Sequence, residues 1–257
     1  MWLIAGPCVI EDDKMPFIVA KKIKEIANEL GFNFIFKSSY LKANRSRIDS
    51  FTGIPRHTAL EILKEIHNQY QIPVITDVHE SWECEEVAEY IDYLQIPAFL
   101  CRQTELLISA GKTGKPINIK KGQFMSPESM QFAIEKVIKT GNDNIFLTER
   151  GSMFGYYDLI VDMTAIPRMK SFGYPVLIDA THSVQMPNRN DGVTHGQRDY
   201  VPTIALAGIA AGADGIFMEI HPDPAKALSD AETQWPLDQA YDLLVKIKNI
   251  FLTINNL

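Results

Sequence analysis

The chain has 257 residues, 46% hydrophobic and 22% charged, which is ordinary globular composition with ample material for a core. A formal net charge of −7 gives no electrostatic case for nucleic acid or an anionic membrane, so any phosphate ligand must be held by locally placed cations. No apolar run approaches the roughly 18 residues that span a bilayer, and three cysteines at unrelated spacings form no disulfide framework, which reads as a reducing cytoplasm.

Short β-rich runs alternate with helical patterns along the whole chain. The first, Trp2-Leu3-Ile4-Ala5, lacks the basic flank and long apolar stretch of a signal peptide, and is taken as a strand over 3–5. Gly6-Pro7 must turn the chain there. Cys8 comes next, and display at a rim competes with a cysteine's usual use as a small buried hydrophobe. A helix is expected over 17–30, with Ile18, Ile23, Ile26 and Leu30 on its buried face. Strands at 34–37, 74–77, 93–96, 117–119, 145–148, 176–179 and 215–219 then alternate with helices at 58–70, 82–90, 105–110, 129–140, 162–172, 202–211 and 237–250. Most strand runs are near-continuously apolar, as parallel strands buried on both faces should be. About eight βα units describe a single-domain (β/α)8 TIM barrel over residues 1–257. The alternative, a doubly wound sheet, lacks a G-x-G-x-x-G at a strand-to-helix turn.

The residues at the C-terminal ends of the apolar runs are more specific. In chain order they are Gly-Pro-Cys8, Lys37-Ser-Ser-Tyr, Asp77-Val-His79-Glu80, Pro-Ala98, Lys120-Lys121-Gly-Gln123, Glu149-Arg150-Gly, Asp179-Ala-Thr-His182 and Glu219-Ile-His221. Barrel enzymes build their active sites at the C-terminal ends of the strands. The general polarity of loops explains a Lys or Glu farther out, but not Cys, His, Asp and paired Lys beside apolar strand ends. Lys37, Lys42, Arg45, Lys120 and Arg150 form a set of cations suited to more than one anionic ligand group. Cys8, His182, Glu219 and Asp230 each suit a divalent metal; they are far apart in sequence, but closing a barrel makes strands one, seven and eight neighbours. Cys84 and Cys101 read as packing. No G-x-S-x-G, H-E-x-x-H or Walker loop is present.

Together these motifs resemble the 3-deoxy-D-manno-octulosonate 8-phosphate synthase family, in its metal-dependent branch. The resemblance is carried by A-G-P-C (5–8), F-K-S-S-Y-L-K-A-N-R-S (36–46), T-D-V-H-E (76–80) and Q-I-P-A-F-L-C-R-Q-T (95–104). It continues through K-K-G-Q-F (120–124), T-E-R-G (148–151), F-G-Y (154–156), D-A-T-H-S-V-Q (179–185), F-M-E-I-H-P-D-P (217–224) and A-L-S-D-A (227–231). It implies a (β/α)8 barrel, a homotetramer and a cytoplasmic step towards lipopolysaccharide. The implied reaction condenses phosphoenolpyruvate with D-arabinose 5-phosphate and water, releasing inorganic phosphate.

Carried residue by residue, the resemblance places Cys8, His182, Glu219 and Asp230 on a divalent metal ion, whether Zn, Fe, Mn or Co. It places Lys37, Lys120, Gln123, Arg150 and the backbone of Ala98 on phosphoenolpyruvate. Lys42, Asn44, Arg45 and Ser46 fall on the sugar phosphate, with Asp77 between the two substrates. His182, Asp77 and Glu149 are candidates for handling protons, and Lys42 joins them as a catalytic candidate. The sibling family that uses erythrose 4-phosphate carries K-P-R-T-S where this chain has K-A-N-R-S (42–46), which favours the longer sugar. Arg47, Asp49 and Thr52 stand where Ser, His and Arg are usual, and within 188–198 His195-Gly196 stands where Gly-Gly is usual. The rival readings are a Schiff-base aldolase using Lys37 or Lys120 and a sugar-phosphate-binding barrel without turnover.

Overall fold

The computed structural model describes residues 1–153, 158–187 and 194–255. Eight parallel strands pair in chain order: β1 Trp2–Gly6, β2 Asn33–Lys37, β3 Val74–Asp77, β4 Tyr93–Ile96, β5 Ile117–Lys120, β6 Ile145–Glu149, β7 Val176–Asp179 and β8 Gly215–His221. The sheet closes because β8 pairs back onto β1, with Trp2 opposite Gly215 and Gly6 opposite Glu219. This is the expected (β/α)8 barrel. Among the described residues, no helix is long and apolar enough to cross a membrane.

Alternation along the strands places the chemistry. Ile4, Ile35, Ile75, Phe146, Leu177 and Phe217 pack against one another as an apolar plug inside the barrel, while their neighbours Leu3, Leu147, Ile178 and Ile216 belong to the outer core beneath the helices. Successive side chains of a strand face opposite sides. Two residues beyond the plug the same inward face therefore carries Lys37, Asp77, Thr148, Asp179 and Glu219, all buried. The polar ring is thus the next layer up on the same inward rows.

The helices keep the expected order with shifts at their ends. α1 (Met15–Leu30) buries Val19, Ala20, Ile23 and Ile26, but leaves Ile18 exposed. Five residues from Ile23 is about 140° round a helix, so Ile18 faces away from the barrel. The helix expected at 82–90 divides into a 3-10 turn, Ser81–Glu83, and a short α-helix, Cys84–Ala88. The helix expected from 162 begins at Ala165, because the Asp162 carboxylate first accepts the Thr164 amide at 2.9 Å in a turn. Three short strands among the described residues were not legible in the sequence: Gln185–Met186 and His195–Gly196, paired antiparallel beside the barrel mouth, and Trp235–Pro236, paired parallel with the end of β8.

Glu83 explains how the segment after β3 is held. Its buried carboxylate accepts the backbone amides of His79 and Glu80 and lies 3.7 Å from Arg56 Nη1. Burial raises the pKa of this carboxyl, but the hydrogen bonds, those from His79 foremost, outweigh it and bring it from 4.5 to about 2. A depressed carboxylate contributes stability above its unfolded pKa and loses it as pH falls through the folded one. Glu83→Gln is therefore expected to lower the melting temperature at pH 7, with the gap from wild type closing between about pH 4.5 and 2. A gap of constant size in thermal melts across that window would contradict this account.

Candidate active site

β1 ends on Gly6 for a steric reason: a Cβ there would collide with the carbonyl of Lys37. The close approach brings the ends of β1 and β2 together, and Lys37 Nζ donates to the Cys8 carbonyl at 3.2 Å. Cys8 is fully buried rather than displayed at a rim. The segment after β8 lies over it: the Cys8 amide donates to Gln234 Oε1 at 3.1 Å, and Sγ lies 2.9 Å from Ser229 Oγ and 3.3 Å from Asp230 Oδ2.

Ligand atoms of Cys8, Glu219 and Asp230 lie within 4.8 Å of one another. His182 Nε2 is 3.4 Å from Glu219 Oε1 and 3.6 Å from Asp230 Oδ2, so the fourth expected metal-binding residue adjoins this group through its two carboxylates. Glu219 Oε2 is buried without a hydrogen-bond partner, an acceptor awaiting a cation or donor. A thiol, an imidazole and two carboxylates are a fitting donor set for a divalent transition metal. Burial, reinforced by Glu219, pushes the Cys8 thiol well up, so a thiolate here calls for a cation in direct contact. Asp230 adopts φ 48°, a left-handed conformation that Asp tolerates better than most residues.

Sequence reasoning assigns no role to Asp179, yet the structure makes it the hinge between two parts of the site. Its Oδ2 accepts Lys120 Nζ at 2.6 Å and lies 2.7 Å from His182 Nδ1, while Oδ1 accepts the amides of Thr181 and His182 at 3.1 and 2.9 Å. Burial opposes its ionisation, but His182 and Lys120 hold the carboxyl well below the usual range. The contact fixes the imidazole so that Nε2 faces Glu219 and Asp230.

Four cations surround this cluster. Lys37, Lys42, Lys120 and Arg150 are all buried. Lys37 Nζ lies 3.2 Å from Glu219 Oε1, Lys42 Nζ lies 3.9 Å from it, and Lys120 Nζ sits 3.6 Å over the Phe217 ring. Arg150 Nη2 donates to Gln185 Oε1 at 2.6 Å, but its Nη1 is buried without a partner. Buried charge left short of partners is costly unless a ligand completes it. Gln123 is buried after β5 with Oε1 likewise unpartnered, and the Ala98 carbonyl lies against Gly122 in the same neighbourhood.

Asp77 is buried between Ser39 Oγ, which donates to Oδ2 at 2.7 Å, and the Gln95 amide, which donates to Oδ1. Burial opposes its ionisation, while Lys37 and Lys42 above all hold it well below the usual carboxylate range. Glu149 is differently placed. Its Oε1 accepts the amides of Arg150 and Gly151 at 3.1 and 2.6 Å and lies 3.5 Å from Lys121 Nζ. The structure therefore brings it to the backbone that holds Arg150, not to the His182 cluster. Next to the ring, Asn44, Arg45 and Ser46 line a cavity of about 270 Å³ with Ser50, Thr194 and residues 227–232. Arg45 Nη1 donates to Ser229 Oγ at 2.9 Å, Nε donates to the Phe51 carbonyl at 2.7 Å, and Nη2 is buried without a partner. The F-G-Y motif at 154–156 and residues 188–193 lie outside the described residues.

Gln185 was also missed by sequence reasoning. It links Arg150 to Asp230, donating from Nε2 to Asp230 Oδ1 at 3.1 Å. No strand pattern marks it, because it lies past the 3-10 turn His182–Val184. Asp179, by contrast, was within reach: it continues the inward row of β7, two residues beyond Leu177.

The chain is similar to known proteins along nearly its whole length. Residues 1–253 match the DAHP synthetase I family. A protein of Francisella philomiragia described as 2-dehydro-3-deoxyphosphooctonate aldolase is 47% identical over 97% of this chain and 90% of its own length. Proteins of the same description from Desulfotalea psychrophila and a Cyanothece species are 48% and 50% identical, over 96% and 92% of this chain and 89% and 87% of their own lengths.

Proposed function

Because the chain belongs to the DAHP synthetase I family, we propose that it condenses phosphoenolpyruvate with D-arabinose 5-phosphate and water to give 3-deoxy-D-manno-octulosonate 8-phosphate and inorganic phosphate. It is an enzyme of the C–C bond-forming transferase class, and its relatives' description as 2-dehydro-3-deoxyphosphooctonate aldolases supports this reading. The observation that carries it is the meeting of two sets: the buried cations Lys37, Lys120 and Arg150, with Arg150 Nη1 unpartnered, beside the buried Cys8 and Glu219 and the half-buried His182 and Asp230. The whole chain acts as one barrel domain in this proposal. A cytoplasmic location and a homotetramer are part of it.

Phosphoenolpyruvate already carries an enol, so its C3 can attack an aldehyde without a Schiff-base lysine. Lys37, Lys120 and Arg150 neutralise its carboxylate and phosphate, with Gln123 and the Ala98 backbone at the edge of that subsite. Asn44, Arg45 and Ser46 grip the terminal phosphate of the sugar, and Lys42 lies between the two anions. Asp77 and His182 hold or move protons near the aldehyde oxygen and the water that adds at C2. Glu149 serves by fixing Arg150. When bound at Cys8, His182, Glu219 and Asp230, a divalent metal supplies Lewis-acid polarisation of the aldehyde or water.

The deciding assay is phosphate release from the substrate pair. Arabinose 5-phosphate is expected to exceed erythrose 4-phosphate in kcat/KM; the reverse order would move the chain to the sibling activity, and no release would leave a binding protein. Borohydride with substrate should trap nothing, since an imine on Lys37 or Lys120 belongs to the aldolase reading. An arginine grips phosphate bidentately where lysine is a point charge. Arg45→Lys is therefore expected to raise the sugar-phosphate KM roughly tenfold, the cost of about one charge-assisted hydrogen bond. The KM for phosphoenolpyruvate should stay nearly unchanged. Equal effects on both substrates would displace Arg45 from the sugar subsite.

A further inference from the structure

The barrel interior carries a hydrogen-bond chain that the proposed chemistry does not use. Gln95 on β4, Asn118 on β5 and Thr148 on β6 are 2%, 0% and 0% exposed. Interior layers of such barrels are usually filled by branched apolar side chains. Here Thr148 Oγ1 donates to Asn118 Oδ1 at 2.7 Å, Asn118 Nδ2 donates to Gln95 Oε1 at 2.9 Å, and the Gln95 amide donates to Asp77 Oδ1. From the other side Lys37 Nζ donates to Ser39 Oγ at 3.0 Å and Ser39 Oγ to Asp77 Oδ2 at 2.7 Å.

Every donor in this chain points one way. An ionised carboxylate can only accept, so Gln95 must turn its NH2 towards Asp77 and its carbonyl towards Asn118. Asn118 must then donate to Gln95 and offer its own carbonyl to Thr148, whose hydroxyl has a proton to give. One charge at β3 thus dictates the orientation of two amides and a hydroxyl across three further strands. The constraint also runs backwards. Without the Thr148 hydroxyl, Asn118 Oδ1 is a buried acceptor lacking its donor, and relieving that cost means moving Asn118 and with it the Gln95 carbonyl that its amide holds.

We propose that Thr148 and Asn118 are positioning residues that act through Gln95 to hold the Asp77 carboxylate at a single orientation between the substrates. The kinetic part of this proposal rests on the condensation reaction proposed for this site; the structural part does not. In steady-state assays Thr148→Val, which keeps the shape and removes the hydroxyl, should lower kcat about tenfold, roughly one buried hydrogen bond. The KM values of both substrates should change less than about twofold, and Thr148→Ser should restore kcat. In protein labelled with 15N at Asn and Gln side chains, the Gln95 and Asn118 amide protons should exchange slowly in wild type and Thr148→Ser, and quickly in Thr148→Val. Circular dichroism should show each variant to be folded. If Thr148→Val keeps wild-type kcat, or loses activity equally in Thr148→Ser, the proposal is overturned. It is equally overturned if only the melting temperature falls while both amides stay protected. A wild type inactive on the substrate pair would refute the assigned reaction, and the amide measurements would still decide whether the chain holds Asp77.

Discussion

Chelation of the purified protein is expected to abolish product formation, and Zn²⁺, Fe²⁺, Mn²⁺ or Co²⁺ to restore it. Cys8→Ala should lower kcat by more than about 100-fold, because losing a residue proposed to hold the metal directly should cost at least what loss of a supporting contact costs. The argument is geometric. Cys8, Glu219 and Asp230 offer ligand atoms within 4.8 Å of one another, and His182 Nε2 closes on the two carboxylates. Glu219 Oε2 has no other partner, and burial favours the neutral thiol of Cys8 unless a cation faces it. The fold does not depend on the sulfur: Cys8 lies just past a strand held by full ladders to β2 and β8. Metal content by atomic absorption should therefore fall in Cys8→Ala while circular dichroism is unchanged. Full activity in metal-stripped wild type would refute this and leave Cys8 as a packing residue.

Arg150→Ala is expected to be the second large effect, with phosphoenolpyruvate affinity reduced roughly tenfold to a hundredfold. Each hydrogen bond to a charged group is worth about 1.5–3 kcal/mol, and about 1.4 kcal/mol is a factor of ten. Arg150 is suited to this loss because Nη2 is held by Gln185 while Nη1 is buried and free to bind. Glu149 fixes the backbone beneath it through the amides of Arg150 and Gly151. Arg150→Lys should recover only part of the affinity, since a lysine cannot present two parallel donors. Calorimetry gives the readout directly; an unchanged dissociation constant for Arg150→Ala would remove it from the substrate site.

The strands were legible because a buried parallel strand is an uninterrupted apolar run, and 74–77, 93–96 and 176–179 match the observed ends residue for residue. Helix faces were less legible. Ile18 is as apolar as Ile23, and only the direction of packing against the barrel tells them apart. The residues proposed to hold a metal stood out by type, being Cys, His and acids beside or beyond apolar strand ends. The supporting residues did not: Gln95, Asn118 and Thr148 are common polar types, and only a shared inward face makes them a chain. Glu149 shows the opposite failure, an ionisable residue at a strand end whose side chain turns to the backbone of its own loop.

By itself the sequence determined the order of strands and helices, the barrel class and the identity of the groups carrying charge, sulfur and imidazole. These come from local periodicity and residue chemistry, which need no distant partner. Only the tertiary structure decided which of those groups meet. Cys8 reaches Asp230 across 222 positions of chain, and Lys37 reaches Glu219 across 182, because barrel closure sets β8 beside β1. Sequence separation carries no information about such contacts; strand pairing, and the face on which each side chain emerges, supply it.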